Sequence, residues 1–269
     1  PWNQEWFAVG LFRHRQATPS TFLDTKEIHR NLLKNRAILA YEDGPNTTVA
    51  ITESPDPTHT PYPTARSIFV NGKSDGATGG GDRITTLLLG HLPSLLQQSD
   101  NEQAAVIGFG TGITVGAIAQ HEQIQSIHCM EISPVVQQFA HFFDDYNGQA
   151  STHPKLKWSI ADAYRVLSNS PEQYAVIVSE PSNPWVTGVE KLYSQDFYQL
   201  VSEKLAPRGI YAQWLHIYDM SLDTIGMVLN TYHSVFPHVR VFSGGADIIL
   251  LGSEHPIDQS HLGNLSQHI

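Results

Sequence analysis

Cysteine is almost missing from this chain. Cys129 is the only one in 269 residues, so no internal disulfide can form, and the protein is compatible with a reducing compartment. Runs of Lys or Arg are absent, and 16 basic against 26 acidic residues leave a formal net charge of -10. Binding a nucleic-acid backbone needs clustered positive charge, so no nucleic-acid partner is expected. No apolar stretch approaches the roughly 20 residues that span a bilayer, and no signal peptide is evident. The 14 histidines are scattered, without a His-Glu-x-x-His, paired-Cys or acidic calcium-loop pattern, so no metal is expected. Internal repeats and low-complexity tracts are lacking too. The chain starts at Pro1 without an initiator Met, as expected of part of something longer.

What is present suits a soluble globular protein: 41% hydrophobic and 16% charged residues, with enough length for a full core. Residues 36–41, 47–52 and 67–71 read as short strands separated by Gly-Pro, Pro-rich and Asn-Gly turns. Before them, residues 21–35 have helical apolar spacing. These features predict a small, mostly β N-terminal domain over residues 1–80. Gly79-Gly80-Gly81, capped by Asp82, is then expected to open a helix through Leu96. From Ala104 the rhythm alternates between strand and helix. Strands are expected at 104–109, 126–131, 156–161, 175–179 and 209–214, and Ser133-Pro134, Ser194 and Ser221 sit at helix starts. Residues 239–242 and 247–252 flank a turn between antiparallel strands. The pattern over residues 81–269 is α/β: a mostly parallel sheet with one reversed strand.

Three chemical features fall at successive strand ends, where open α/β sheets bind ligands. Gly108-Phe109-Gly110-Thr111-Gly112 follows the first strand and opens a helix; its glycines let backbone approach a ligand. The dinucleotide fingerprint needs its third glycine where Ile113 stands, whereas Gly-x-Gly-x-Gly suits S-adenosylmethionine-dependent enzymes. About twenty residues on, Glu131 and the adjoining Ile132 are placed for ribose and base. Asp162-Ala163 could accept a hydrogen bond from an adenine amino group. A fourth feature is the loop Ser179-Glu180-Pro181-Ser182-Asn183-Pro184-Trp185. Glu180 ends the apolar strand, and two prolines hold the loop out of helix. His216 ends a later strand on the same side, as proton acceptor or structural histidine, while Tyr193 and Phe197 read as core.

The chain resembles the spermidine synthase family of polyamine aminopropyltransferases, most of all the spermidine-synthase-like domains fused behind bacterial multi-pass membrane segments. The resemblance is carried by residues 41–49, Val70-Asn71-Gly72-Lys73, residues 88–93, the loop from Ser179 to Gly188, and Gln213-Trp214-Leu215-His216. It implies a class I methyltransferase-like (Rossmann-like) sheet behind the small β domain, and commonly a homodimer or tetramer. It also implies a cytoplasmic domain, tethered to the inner membrane through a segment before Pro1. Glu131 and Asp162 match the acids that hold the adenosine of decarboxylated S-adenosylmethionine. Glu180 and Asn183 stand where the family has two aspartates, the amine-deprotonating base and an amine-binding group. Thr111 replaces an aspartate that faces the aminopropyl ammonium, and Thr85, Thr86 and Thr47 replace further pocket residues. Asp75, in place of a glutamine, is a candidate cation partner, and Trp185 a candidate wall of the substrate pocket.

Three functions stay open on these residues. One is aminopropyl-type transfer from an S-adenosylmethionine-type donor to a small-molecule amine, releasing methylthioadenosine. Another acts on S-adenosylmethionine alone or by methyl transfer, since neutral Thr111 does not repel a donor carboxylate. The last is a non-catalytic nucleoside sensor.

Overall fold

In the first third of the chain, turn chemistry and alternating burial build an antiparallel sheet. The computed structural model describes residues 4–8, 24–45, 47–56, 61–182, 186–218, 220–244 and 247–258. After helices α1 (Glu5–Ala8) and α2 (Thr25–Leu32) come β1 (Ala37–Asp43), β2 (Thr48–Pro55), β3 (Thr64–Val70) and β4 (Lys73–Ala77), paired in chain order. Helix α2 stops short of residue 35 because Asn35 is left-handed, with φ 62°. Patterning does not mark β4, whose Lys-Ser-Asp-Gly-Ala composition is poor in strand formers. It forms because Asn71 and Gly72, with φ of 51° and 76°, close a tight hairpin on Val70 and Lys73.

The second sheet contains β5 (Gln103–Ile107), β6 (Ser126–Glu131), β7 (Leu156–Ile160), β8 (Tyr174–Ser179), β9 (Leu205–His216), β10 (His238–Gly244) and β11 (Asp247–Ser253). Its order is β10-β11-β9-β8-β5-β6-β7, and β11 alone runs against the others. Strand β5 ends two residues earlier than patterning suggests because Gly108 turns to φ 84°. Strand β9 starts earlier than predicted, continuing through Pro207-Arg208 with a register shift against β8.

Helices α3 (Gly80–Leu96), α4 (Ile113–Ala119) and α5 (Pro134–Phe139) cover one face of this sheet, burying Leu89, Leu92, Val115, Ile118, Val135 and Val136 against Val106, Val176 and Val178. After α6 (Asp144–Asn147), helices α7 (Ala163–Asn169), α8 (Gln195–Lys204) and α9 (Leu222–Val235) cover the other, with Leu167, Phe197, Tyr232 and Ile177. Asp82 does not cap α3: Gly79 occupies the N-cap without a side-chain bond, and Asp82 lies in the first turn. The Ser194 and Ser221 hydroxyls do cap α8 and α9, accepting from the Phe197 and Thr224 N–H groups. Tyr193 and Phe197 are buried.

The two sheets share a core, because Val49, Ile51 and Ile68 of the first join the cluster under α3 to α5. Polar contacts reinforce it: Thr47 to Ser133 and Thr64 to Tyr146, each 3.0 Å between hydroxyl oxygens. His91 on α3 and His121 after α4 meet at 3.0 Å between ring nitrogens. No helix among the described residues is long and apolar enough to cross a membrane.

Candidate active site at the carboxyl ends of the strands

The turn between β5 and α4 is built by backbone that L side chains resist. Gly112, with φ 69°, is the α4 N-cap, and a Cβ there would meet the Phe109 ring at 2.4 Å and Asn147 Nδ2 at 2.7 Å. Phe109 is buried against Trp158, with ring centroids 4.7 Å apart. Asn147 Nδ2 donates to the Thr111 carbonyl at 2.9 Å and so pins the turn from α6. Thr111 is itself buried.

Two acids follow at the neighbouring strand ends. Glu131 is buried, and its carboxylate accepts from the Phe109 N–H at 3.0 Å and the Ser133 N–H at 2.8 Å. Burial pushes its pKa up, against the lowering effect of these backbone bonds. Ile132 beside it is 54% exposed, an apolar side chain left open at the sheet's ligand edge. Asp162 is exposed and caps α7, one oxygen accepting from Arg165 N–H at 2.9 Å, with Ala163 buried behind it. Exposed Tyr164 follows directly.

Glu180 continues β8 and turns its carboxyl toward the glycine turn. Its Oε1 lies 3.6 Å from where a Gly110 Cβ would stand, and a Cβ on Gly108 would meet the Glu180 carbonyl at 3.0 Å. The Oε2 atom accepts from the Thr114 hydroxyl at 2.7 Å. Desolvation by the surrounding helices and strands, with help from the Asp82 charge, pushes the Glu180 pKa up to about 7 despite the Thr114 bond. Asn183 and Trp185 lie outside the described residues.

Asp75 on β4 is the cation partner of Lys73, and the same oxygen accepts from the Ser182 hydroxyl at 2.9 Å. The first sheet is thereby tied to the loop that carries Glu180. His216 is fully buried, its ring between Trp214 and Tyr218 with centroids 5.3 and 4.6 Å away, as a packed histidine would be. Thr85 donates to Asp247 at 3.3 Å, across from His216 in the strand register. The turn, Glu131, Asp162 and Glu180 thus gather at one edge of the sheet. A groove of about 220 Å³ lined by Gln173, Ser202, Arg208 and Glu254 lies at the opposite ends of the strands and takes no part. Among the described residues no group of three or more His, Cys, Asp or Glu could hold a metal ion.

Sequence reasoning missed Thr114, Asn147, Lys73 and Ser182. Thr114 carried one usable signal: it lies on the first turn of a helix that opens from a ligand-type glycine turn. Asn147 is 36 residues from its partner and carried none.

Comparison with known proteins adds the following. The profile of the spermine/spermidine synthase domain matches residues 83–243. A polyamine aminopropyltransferase of Sulfurisphaera tokodaii is 28% identical over 149 residues, covering 55% of this chain and 49% of the relative. Polyamine aminopropyltransferase 1 of Pseudomonas aeruginosa is 27% identical over 177 residues, covering 62% of this chain and 61% of the relative. The chain therefore spans about half to three fifths of these relatives' length. A crystal structure of spermidine synthase in complex with the transition-state analogue AdoDATO superposes with a TM-score of 0.72 at 17% identity, covering 82% of this chain and 74% of the other. That likeness is one of fold.

Proposed function

The chain belongs to the spermine/spermidine synthase domain family, and from that premise we propose that it is an aminopropyltransferase-like enzyme. It binds an S-adenosylmethionine-type nucleoside and passes the donor's three-carbon arm to a small amine. The observation that carries this reading is the gathering of Glu131, Asp162 and Glu180 around the Gly108–Gly112 turn. Glu131, immobilised by backbone amides, is suited to ribose hydroxyls. Asp162 keeps an oxygen for a base amino group, and exposed Ile132 offers a surface for a flat ring.

In the reaction the amine lone pair attacks the carbon beside the sulfonium. The C–S bond breaks, its electron pair stays on sulfur, and neutral methylthioadenosine leaves. The nitrogen must shed a proton, because an ammonium has no lone pair, and Glu180 is the group that takes it. A carboxyl with a pKa raised to about 7 is a better-matched base near neutral pH than an ordinary carboxylate. Activity requires the ionised form, so kcat/KM should rise with pH up to about 7 and then level.

One observation favours a second reading, in which intact S-adenosylmethionine is the donor. Thr111 is neutral, and Asp75 is engaged by Lys73 and Ser182, so neither is an uncommitted carboxylate for an aminopropyl ammonium. Mass spectrometry of incubations with either nucleoside, with and without putrescine or spermidine, separates the readings. Methylthioadenosine formed only with an amine is expected. Methylthioadenosine from intact S-adenosylmethionine, with or without an amine, or S-adenosylhomocysteine, would install the second reading instead. Glu180→Gln should retain nucleoside binding and lose at least about a hundredfold in turnover. Absence of binding at millimolar nucleoside would overturn both.

A further inference from the structure

Thr114 stands between Glu180 and the backbone of α3. It is 1% exposed, and its hydroxyl has two acceptors in reach: Glu180 Oε2 at 2.7 Å and the Thr86 carbonyl at 3.1 Å. A hydroxyl owns one hydrogen and two lone pairs. It can serve one of these acceptors at a time, and it can accept from a carboxyl while donating to the other. Among the described residues Thr114 is the only hydrogen-bond partner of the Glu180 side chain.

We propose that Thr114 is the positioning residue that holds Glu180 in place in both of its protonation states, an inference that rests on Glu180 being the base of the proposed reaction. With Glu180 ionised, the Thr114 O–H donates to Oε2. Once the amine's proton has moved to Oε1, the oxygen facing the turn, Oε2 becomes the carbonyl oxygen and still accepts from the Thr114 O–H. The direction of that hydrogen bond does not change; only the charge on its acceptor does. The base therefore keeps its orientation before and after the transfer, and the carboxyl oxygen facing the turn keeps its place.

Among the described residues no other group that couples to Glu180 can do this. From α3 it faces Asp82, a like charge that favours the protonated form. From β6 it faces Cys129, whose thiol is itself pushed up by burial and by the charges of Glu131 and Glu180. Gly110 presents no side chain. Threonine also suits the place sterically, because its branched Cβ restricts the hydroxyl to few rotamers on a helix.

The test compares Thr114→Val, which keeps the shape and removes the hydroxyl, with Thr114→Ser, which keeps the hydroxyl. Carboxyl resonances of carbon-13 glutamate-labelled protein are titrated by NMR, the Glu180 signal being the one missing from Glu180→Gln. Losing a donor to the ionised form should move the Thr114→Val midpoint upward by about one pH unit, with Thr114→Ser near the native value. The acid limb of kcat/KM should move by the same amount, while the KM for the nucleoside stays unchanged. An identical midpoint in native protein and Thr114→Val would overturn the assignment. If Thr114→Val did not fold, the smaller Thr114→Ala carries the same comparison. Should no donor and acceptor pair give product, the proposed function fails visibly while the titration still decides the role of Thr114.

Discussion

Two glutamates, buried Glu131 and half-buried Glu180, show how residue environment separates tasks that residue type does not. Glu131 has both oxygens held by backbone N–H groups, which favour its carboxylate against the upward push of burial. Glu180 has a single hydroxyl that tolerates either state. Glu131→Gln replaces one acceptor with an NH2 that must face a backbone donor. It should cost about 1–3 kcal/mol of stability, read from denaturant unfolding, and should weaken S-adenosylmethionine binding in calorimetric titration. Both acids were legible in the sequence because each ends an apolar strand. Their contrasting surroundings were not, since they depend on Phe109, Ser133 and Thr114 arriving from other elements.

At the scale of elements, the close approach of α4 to α6 sets the turn. A Cβ on Gly116 would lie 2.0 Å from the Asn147 carbonyl oxygen, which belongs to backbone and cannot swing aside. Gly116→Ala should therefore displace Asn147, break its bond to Thr111, and destabilise the protein by about 3 kcal/mol or more. Gly226 on α9 has open space around it, and Gly226→Ala should stabilise by about 0.5–1 kcal/mol. Thermal unfolding of the two variants beside native protein checks both directions. Element types were readable wherever period and caps agreed, as at Ser194 and Ser221. They failed at β4, whose composition is poor in strand formers, and the α3 cap was misassigned because Gly79, extended at φ -123°, takes the N-cap ahead of Asp82.

Across the whole molecule, the common core predicts one cooperative unfolding transition rather than two. In acid to neutral solution its pH dependence should carry opposed contributions, the largest of them from Glu180 and His121. Glu180, raised from 4.5 to about 7, binds a proton in the folded state that the unfolded chain releases. Stability from this source is complete below 4.5 and lost as pH rises toward 7. His121 is lowered from 6.5 to about 4, by burial first and then by the charges of His91 and Lys155. Its contribution is complete above 6.5 and lost as pH falls toward 4. These two slopes oppose each other from pH 4.5 to 6.5, and calorimetry of single variants beside native protein separates them. Glu180→Gln should unmask a Tm that rises with pH over that interval, and His121→Gln one that falls. A mostly parallel sheet with one reversed strand could be anticipated from alternation and the closing hairpin, whereas the strand order was not read from sequence. The joining of the two sheets through Val49, Ile51 and Ile68 could not, because these residues read only as the inner face of a small sheet.

The glycine turn also limits how this scaffold can be re-engineered. Three of its five positions, Gly108, Gly110 and Gly112, have φ between 53° and 84°, and any side chain there is strained. Phe109 is committed to Trp158 and its N–H to Glu131. That leaves position 111 as the turn's one tunable address. A library aimed at donor choice should be varied there first, with Asn147 kept to hold the backbone still.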